Sequence, residues 1–299
     1  MLRPFCIALV AGLLPAVATT AAIGGDLTPA PQTTQSPYLQ HTQQQVHLQS
    51  LAAKFCLIHA GWAQGGDHIS MLAALASYTS IPQRNGVRNI IQVRFSDADD
   101  RWPHPRSDAG LPWPYLEQAF SAAAVGATLV DTDPGFVAEL ADILARYEAQ
   151  LDRRFYSRYG GAANDITMRH DVLVQLYSAQ ILSSQIMARD LCATAARYDR
   201  AVHVLRLGRQ SAQFERVMEA VLNGSEQHGI LAAPSNRIHR ELKNAANAWA
   251  RVRELSKQAR AGQDIEPEDV LRFARAMDTV RGHMGMARTF LLGGDAGTF

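Results

Sequence analysis

The sequence predicts an all-α protein built from tandem antiparallel helical bundles, with an elaborated loop in the first bundle. Three observations support this prediction. Apolar residues recur at three- and four-residue steps through most of the chain, as they do on the buried faces of helices. Gly, Pro, Asn and Asp interrupt those stretches at helix-length intervals. Hydrophobic residues make up 47% of the 299 residues and charged residues 19%, which provides enough apolar material for a large core.

The first 22 residues have the layout of a secretory signal peptide. Arg3 gives a short positive start, and small residues that favour cleavage follow the apolar run Phe5–Val17. The alternative is a membrane anchor, but this run contains Pro15 and is shorter than the about 20 residues that a spanning helix needs. We therefore expect cleavage and a periplasmic or secreted protein. Residues 23–37, rich in Gly, Pro and Thr, are expected to form a flexible lead-in.

The first helical unit is predicted over residues 38–160. Its opening helix is predicted from Tyr38 to about Ala63, because four apolar residues recur at helical spacing there: Leu48, Leu51, Phe55 and Ile58. The sequence Gly65-Gly66-Asp67 is expected to end that helix. A shorter helix is predicted over about 68–78.

Residues 80–113 are predicted to form the elaborated loop, or insertion, of this first unit. Four prolines and an acidic patch interrupt the helical pattern, and NIIQVRF over 89–95 alternates as a short strand does. A loop of this length is usually functional or mobile. Helix is predicted to resume near Pro114, and Asp133 is expected to cap a further helix that runs to about Tyr159.

The second helical unit is predicted over residues 163–292. One very long helical stretch is expected over 166–222, a helix capped by Ser235 is expected to reach about Ala261, and Pro267 is expected to open the last helix. Glycine-containing pairs bound the unit and its elements: Gly160-Gly161, Asn223-Gly224 and Gly293-Gly294.

The stretch 172–192 carries polar residues inside a heptad-like seam. The seam consists of Leu173, Tyr177, Gln180, Ser184, Met187 and Leu191. Because Gln180 and Ser184 lie among apolar neighbours, they need partners, and each buried group left unpaired costs about 1–3 kcal/mol. A facing helix, a dimer mate or a small polar ligand would each provide those partners. Arg189, one turn beyond Gln185, would supply positive charge to an anion.

A related polar stripe, QQVHLQSLAAKF, lies in the opening helix over residues 44–55. A shift of 135 residues lays it over the second stripe in these pairs: Gln45 with Gln180, Gln49 with Ser184, Ala53 with Ala188 and Lys54 with Arg189. A match of this quality also arises by chance within 299 residues, so the repeat alone does not establish two corresponding helical units.

The segment 180–190, QILSSQIMARD, resembles the motif G-R-Q-R-M-L-S-Q-R-M-A-K of PilJ-like domains. Those domains are the N-terminal sensory modules of type IV pili methyl-accepting chemotaxis transducers. The segment 45–54, QVHLQSLAAK, is similar to the same motif but more loosely. The resemblance covers residues 163–292 and, in a degenerate form, residues 38–160. It implies tandem bundles, each opening with the motif on its first helix.

The resemblance also implies a small-ligand site on the motif helices, because members of this family recognise small oxyanions through motif arginines. The candidate ligand-binding residues are Gln45, Gln49, Lys54, Gln180, Ser184, Gln185 and Arg189. Most of the motif arginines are replaced here, in the first copy by Gln44, Val46 and Leu51 and in the second by Ala179, Ile181 and Ile186. Only Lys54 and Arg189 keep a basic residue, so packing of the motif helices stays open as an alternative role.

Two cysteines, Cys56 and Cys192, remain after signal cleavage. From their spacing alone, a disulfide and two buried free thiols are both open, although an oxidising compartment lets a disulfide persist. The resemblance places both cysteines near the same level of motif helices that pack together. It therefore favours a Cys56–Cys192 disulfide.

The sequence contains no fingerprint of a catalytic site, a metal site or a nucleotide-binding loop, and we predict no enzyme activity and no cofactor. A net charge of +1 disfavours nucleic acid as a partner. We expect an exported sensory or binding module that recognises a small anion or polar ligand. The candidate protein partners are a membrane sensor, a pilus-associated protein and a second copy of the chain. The alternatives are a structural or interaction bundle without a ligand and, third, an enzyme that uses the 80–113 insertion.

Overall fold

The computed structural model describes residues 37–80, 113–125, 169–228 and 230–293, and throughout these ranges the chain is all-α. This confirms the predicted fold class. The helices are α1 (Pro37–His59), α2 (Gly65–Ser80), α3 (Trp113–Ala124), α4 (Arg169–Ala195), α5 (Arg200–Asn223), α6 (Asn236–Ala250), α7 (Arg253–Arg260) and α8 (Pro267–Leu291). Within the described ranges, none of these helices is long and apolar enough to span a membrane.

Several sequence predictions lie outside the described residues. They are the signal peptide over 1–22, the lead-in before Pro37, the insertion between Ser80 and Trp113, the helix from Asp133 to about Tyr159, and the unit boundary at Gly160-Gly161. These stay predictions.

The end of the opening helix is predicted wrongly. The helix α1 ends at His59, and Gly65 begins α2 instead of ending α1. The chain leaves α1 at Gly61, whose φ of 74° is accessible to glycine without steric cost. Asp67 holds the start of α2, because its Oδ2 accepts a hydrogen bond from the backbone N–H of Gln64 at 2.7 Å.

The single helix predicted over 166–222 is also wrong, because the chain breaks between α4 and α5. Arg197 and Asp199 have φ values of 63° and 38°, which a right-handed helix cannot accommodate. Tyr198, between them, places its hydroxyl 2.8 Å from Nδ1 of His59 at the end of α1. The break thus turns a large side chain back onto the opening helix.

Three other helix limits agree with the sequence: the starts of α6 and α8 and the end of α5. Ser235 caps α6, since its side chain accepts a hydrogen bond from the backbone N–H of Ile238 at 3.3 Å. Pro267 opens α8, and α5 ends before Gly224 with φ 80°. The helix predicted from Ser235 to Ala261 is interrupted after Ala250, so it forms two helices, α6 and α7.

The two motif helices, α1 and α4, run parallel to each other. Residue numbers increase in the same direction on both sides of three contacts between α1 and either α4 or the turn after it. These contacts are Gln49 with Arg189, Cys56 with Cys192, and His59 with Tyr198. The disulfide joins residues separated by 136 positions, one more than the repeat shift. The helix α8 runs antiparallel to α4, as the pairs Ser178–Arg288 and Gln185–Asp278 show. The antiparallel arrangement predicted within a bundle is therefore confirmed for α4 and α8.

Apolar side chains form two clusters that share α1. The larger cluster joins one face of α1 to α4, α5, α6, α7 and α8, and it includes Phe214, Trp249 and Phe273. The smaller cluster joins the opposite face of α1 to α2 and α3, where the rings of Phe55 and Phe120 lie 5.6 Å apart. The described helices form one compact unit with α1 between the two clusters.

Candidate functional site

A disulfide between Cys56 and Cys192 fixes α1 to α4 at the end of both motif copies. Their Cα atoms lie 6.2 Å apart, and both side chains are buried. This is the pairing that the family resemblance implied. The bond holds the polar residues of the two motif copies at corresponding levels.

The basic residue of the second motif copy lies in a closed polar cluster. Arg189 is 4% exposed. Its Nε and Nη2 donate hydrogen bonds to Oδ1 of Asp190 at 2.9 and 2.8 Å. Its Nη1 donates a hydrogen bond to Oε1 of Gln49. Nδ1 of His203 donates to the same Asp190 oxygen at 2.8 Å, and Nη1 of Arg206 lies 3.8 Å from it. Arg189 is therefore buried and neutralised within the protein.

The environment of Asp190 favours its ionised form. Burial raises the pKa of this carboxyl, but the charge of Arg189, the hydrogen bond and charge of His203, and the charge of Arg206 outweigh burial and lower the pKa below its usual value. Its Oδ2 has no hydrogen-bond partner among the described residues. Asp190 therefore serves as the internal counter-ion of Arg189.

The basic residue of the first motif copy lies beside a small cleft between α1, α4 and α8. Nζ of Lys54 is 3.4 Å from Oδ2 of Asp278, which belongs to α8. Nε2 of Gln185, from α4, lies 3.5 Å from Oδ1 of the same aspartate. Two candidate residues, one from each motif copy, thus converge on one carboxylate.

The cleft carries both signs of charge. Lys54, Gln185, Asp278, Asp67 and Arg275 line it together with alanine and leucine side chains. The cavity volume is about 20 Å³, which is room for about one water molecule. Gln64, in the loop between α1 and α2, contacts both Arg275 and Asp67. Its side-chain Oε1 accepts a hydrogen bond from Arg275, and its backbone N–H donates one to Asp67.

The other candidate residues take part in helix packing. Nε2 of Gln180 donates to the backbone carbonyl of Phe214 on α5 at 3.1 Å, and Oγ of Ser184 donates to the carbonyl of Ile181 at 2.7 Å. A facing helix therefore provides the partner of Gln180, which was one of the three open alternatives. Gln45 lies half-buried on α1.

The structure thus brings four candidates together in two groups: Gln49 with Arg189, and Lys54 with Gln185. Each group also contains residues that the sequence did not identify. Asp190 and His203 complete the first group, and Asp278 completes the second. A signal for Asp278 exists in the sequence, because it is an acidic residue directly beside the apolar stripe of α8 that includes Phe273, Met277 and Val280. Nothing in the sequence indicates that α8 faces both motif helices.

No family model, curated protein or solved structure matches the chain. Within the part of the chain that the structure describes, no group of three or more His, Cys, Asp and Glu side chains is placed to hold a metal ion. Function is therefore inferred from the two polar groups themselves.

Proposed function

We propose that this chain is an exported, non-catalytic module of the PilJ-like type that binds a small polar ligand in the cleft between α1, α4 and α8. One observation carries this proposal: Lys54 of the first motif copy and Gln185 of the second meet at Asp278 beside the cleft. The parallel, nearly in-register packing of the motif helices supports it, because an offset of 136 at the disulfide agrees with a repeat shift of 135.

The proposed response to ligand is a shift of α8 relative to the pair α1 and α4. The disulfide holds α1 and α4 together, whereas the polar contacts of α8 at the cleft are a 3.4 Å ion pair and a 3.5 Å hydrogen bond to Asp278. A ligand that takes over these contacts changes the stability of one α8 position relative to another. Helix shifts in such switches measure about 1–2 Å. A separate partner, such as a membrane sensor or a pilus-associated protein, would detect that shift.

A thermal-shift screen of the full, disulfide-bonded chain against amino acids and small anions tests the proposal. A ligand at about 100 times its Kd stabilises the folded protein by about 2.7 kcal/mol, which raises Tm by several degrees. The Lys54→Met variant is expected to abolish this rise. The Lys257→Met variant is the matched control, because Lys257 forms an exposed ion pair with Glu254 on α7 and neither residue lines the cleft. A flat response to the whole library contradicts the proposal.

A second candidate function is a structural or protein-interaction bundle without a ligand. It is favoured by Arg189, whose guanidinium donates to Asp190 and Gln49, and by Gln180, which donates to the backbone of α5. In this case the buried polar residues set the register of the helices. The screen would then be flat, and Lys54→Met would change only the free energy of unfolding.

A further inference from the structure

From the charges that line the cleft, we infer that its ligand is zwitterionic: a small molecule that carries a carboxylate and an ammonium a few ångströms apart, as amino acids do. This inference rests on the proposed function, since it names the ligand class for the same cleft. It replaces the simple oxyanion that the motif resemblance implied.

Two opposite charges, those of Lys54 and Asp278, face each other at the cleft. The side chain of Lys54 is 9% exposed, that of Asp278 is 38% exposed, and Nζ and Oδ2 are 3.4 Å apart. Arg275 and Asp67 also line the cleft. Two positive and two negative side chains therefore line it, so a ligand without net charge leaves the balance of the lining unchanged.

Desolvation discriminates between ligand classes at this ion pair. A simple anion bound at Lys54 would lie beside the Asp278 carboxylate, and a simple cation bound at Asp278 would lie beside the Lys54 ammonium. Either ligand removes one charge contact of this pair: a cation leaves the 9% exposed Lys54 without its carboxylate, which is costly, and an anion leaves Asp278 with Arg281 as its remaining charged contact. A zwitterion gives its carboxylate to Lys54 and its ammonium to Asp278, so both protein charges keep a counter-ion.

Asp278 is held in a way that allows this exchange. Its Oδ1 lies 3.3 Å from a guanidinium nitrogen of Arg281 and 3.5 Å from Nε2 of Gln185. Its Oδ2 contacts Lys54 at 3.4 Å, which is longer than the 2.7–2.9 Å typical of a strong charge-assisted hydrogen bond. A ligand ammonium can therefore replace Lys54 at Oδ2 while the other contacts keep the carboxylate oriented.

The size of the cleft restricts the ligand further. Its cavity of about 20 Å³ holds one water molecule, so binding must displace the Lys54 side chain and the exposed Arg275 side chain. The walls include three alanines, Ala53, Ala188 and Ala274, which lie on α1, α4 and α8. Because the cavity between these walls is small, we expect glycine and L-alanine to bind better than amino acids with large side chains.

Isothermal titration calorimetry and thermal shift on the full, disulfide-bonded chain test the inference with glycine, L-alanine, acetate and methylammonium. Acetate and methylammonium carry the two charges of glycine separately. We expect one or both amino acids to bind and to raise Tm, and we expect neither single-charge probe to do so. Lys54→Met and Asp278→Asn should each weaken binding by about tenfold or more, because each leaves a ligand charge unpaired. Lys257→Met and Glu254→Gln, in the exposed pair, should leave it unchanged.

Each contrary outcome has a distinct meaning. Binding of acetate alone, abolished by Lys54→Met, overturns the zwitterion inference and leaves the proposed ligand-binding function intact. Amino-acid binding that neither Lys54→Met nor Asp278→Asn weakens overturns the assignment to this cleft. A flat response to the four probes and to the wider library overturns both the inference and the proposed function. If Lys54→Met does not fold, Asp278→Asn decides alone, since the Asp278 side chain is partly exposed.

Discussion

The two basic residues of the motif copies are paired with carboxylates in different surroundings. Arg189 and Asp190 have side chains that are 4% and 0% exposed, whereas Asp278, the partner of Lys54, is 38% exposed. A fully buried ion pair loses much free energy when one partner is removed, but a partly exposed pair exchanges its partner with solvent or a ligand at lower cost. This difference is why we propose a ligand site at Lys54 and Asp278 and a structural role for Arg189 and Asp190.

Asp190→Asn is expected to destabilise the protein strongly at neutral pH. The substitution leaves Arg189 buried without its counter-ion, and losses of about 3–5 kcal/mol in the free energy of unfolding are typical of such changes. The folded-state pKa of Asp190 is lowered, so its charge contributes stability above the unfolded value of 3.8 and loses it as pH falls through the folded pKa. Urea titrations at pH 7 and at decreasing pH below about 4 should therefore show a difference from the wild type that shrinks with acid.

Asp264→Asn provides the control for this prediction. Asp264 is 69% exposed and lies 3.4 Å from Arg197 and 3.5 Å from Arg200. Exposed ion pairs contribute about 0–1 kcal/mol, so this variant should unfold at nearly the wild-type urea concentration. Equal losses in the two variants would show that Asp190 does not neutralise Arg189 as described.

Among the described helices, α1 contacts both apolar clusters, one with each of two opposite faces. Val46 and Leu57 face the larger cluster, and Leu48 and Phe55 face the smaller one. Its polar residues Gln49 and Lys54 reach α4 and α8 between these apolar contacts. The disulfide at Cys56 then holds α1 against α4.

Replacing both Cys56 and Cys192 by alanine is expected to lower the free energy of unfolding by about 4–5 kcal/mol. The bond closes a loop of 136 residues, and loop-closure entropy of the unfolded chain gives this magnitude. Alanine avoids placing a hydroxyl in the core, where both cysteines are buried. Urea unfolding of the wild type, with and without reductant present throughout unfolding and refolding, measures the same difference. The double variant should not respond to reductant, and a wild type that does not respond contradicts the prediction.

Periodicity predicted the helices well because it reports which face of a segment is apolar, and this depends only on local sequence. It did not predict the break at Arg197 and Asp199, since neither residue is a glycine or proline and the break is stabilised by the contact of Tyr198 with α1. The motif resemblance identified Gln185, and the repeat identified Lys54 and Arg189 because they occupy paired positions. It did not identify Asp278, because the contact of Lys54 with Asp278 spans 224 positions, and periodicity does not indicate which faces meet.

At the scale of the whole molecule, α1 takes part in both of the apolar clusters that the described helices form. The sequence predicts two units, over 38–160 and 163–292. In the described residues, α1 packs on α4 and is joined to it by a disulfide, so an element of the first predicted unit contributes to the main cluster of the second. Shared burial of α1 couples the two clusters energetically, because neither keeps its complete set of contacts once α1 leaves.

This coupling predicts that the two clusters unfold in a single cooperative transition. Phe120→Ala in the smaller cluster and Phe273→Ala in the larger one each remove a fully buried ring, at a cost of about 3–5 kcal/mol. In differential scanning calorimetry, each variant should shift one common transition to lower temperature, with calorimetric and van't Hoff enthalpies equal. If the clusters belong to independent units instead, two transitions appear and each variant shifts only its own. That result would favour the tandem arrangement, and it would also confine the effect of a ligand bound at Lys54 and Asp278 to the transition that contains α8.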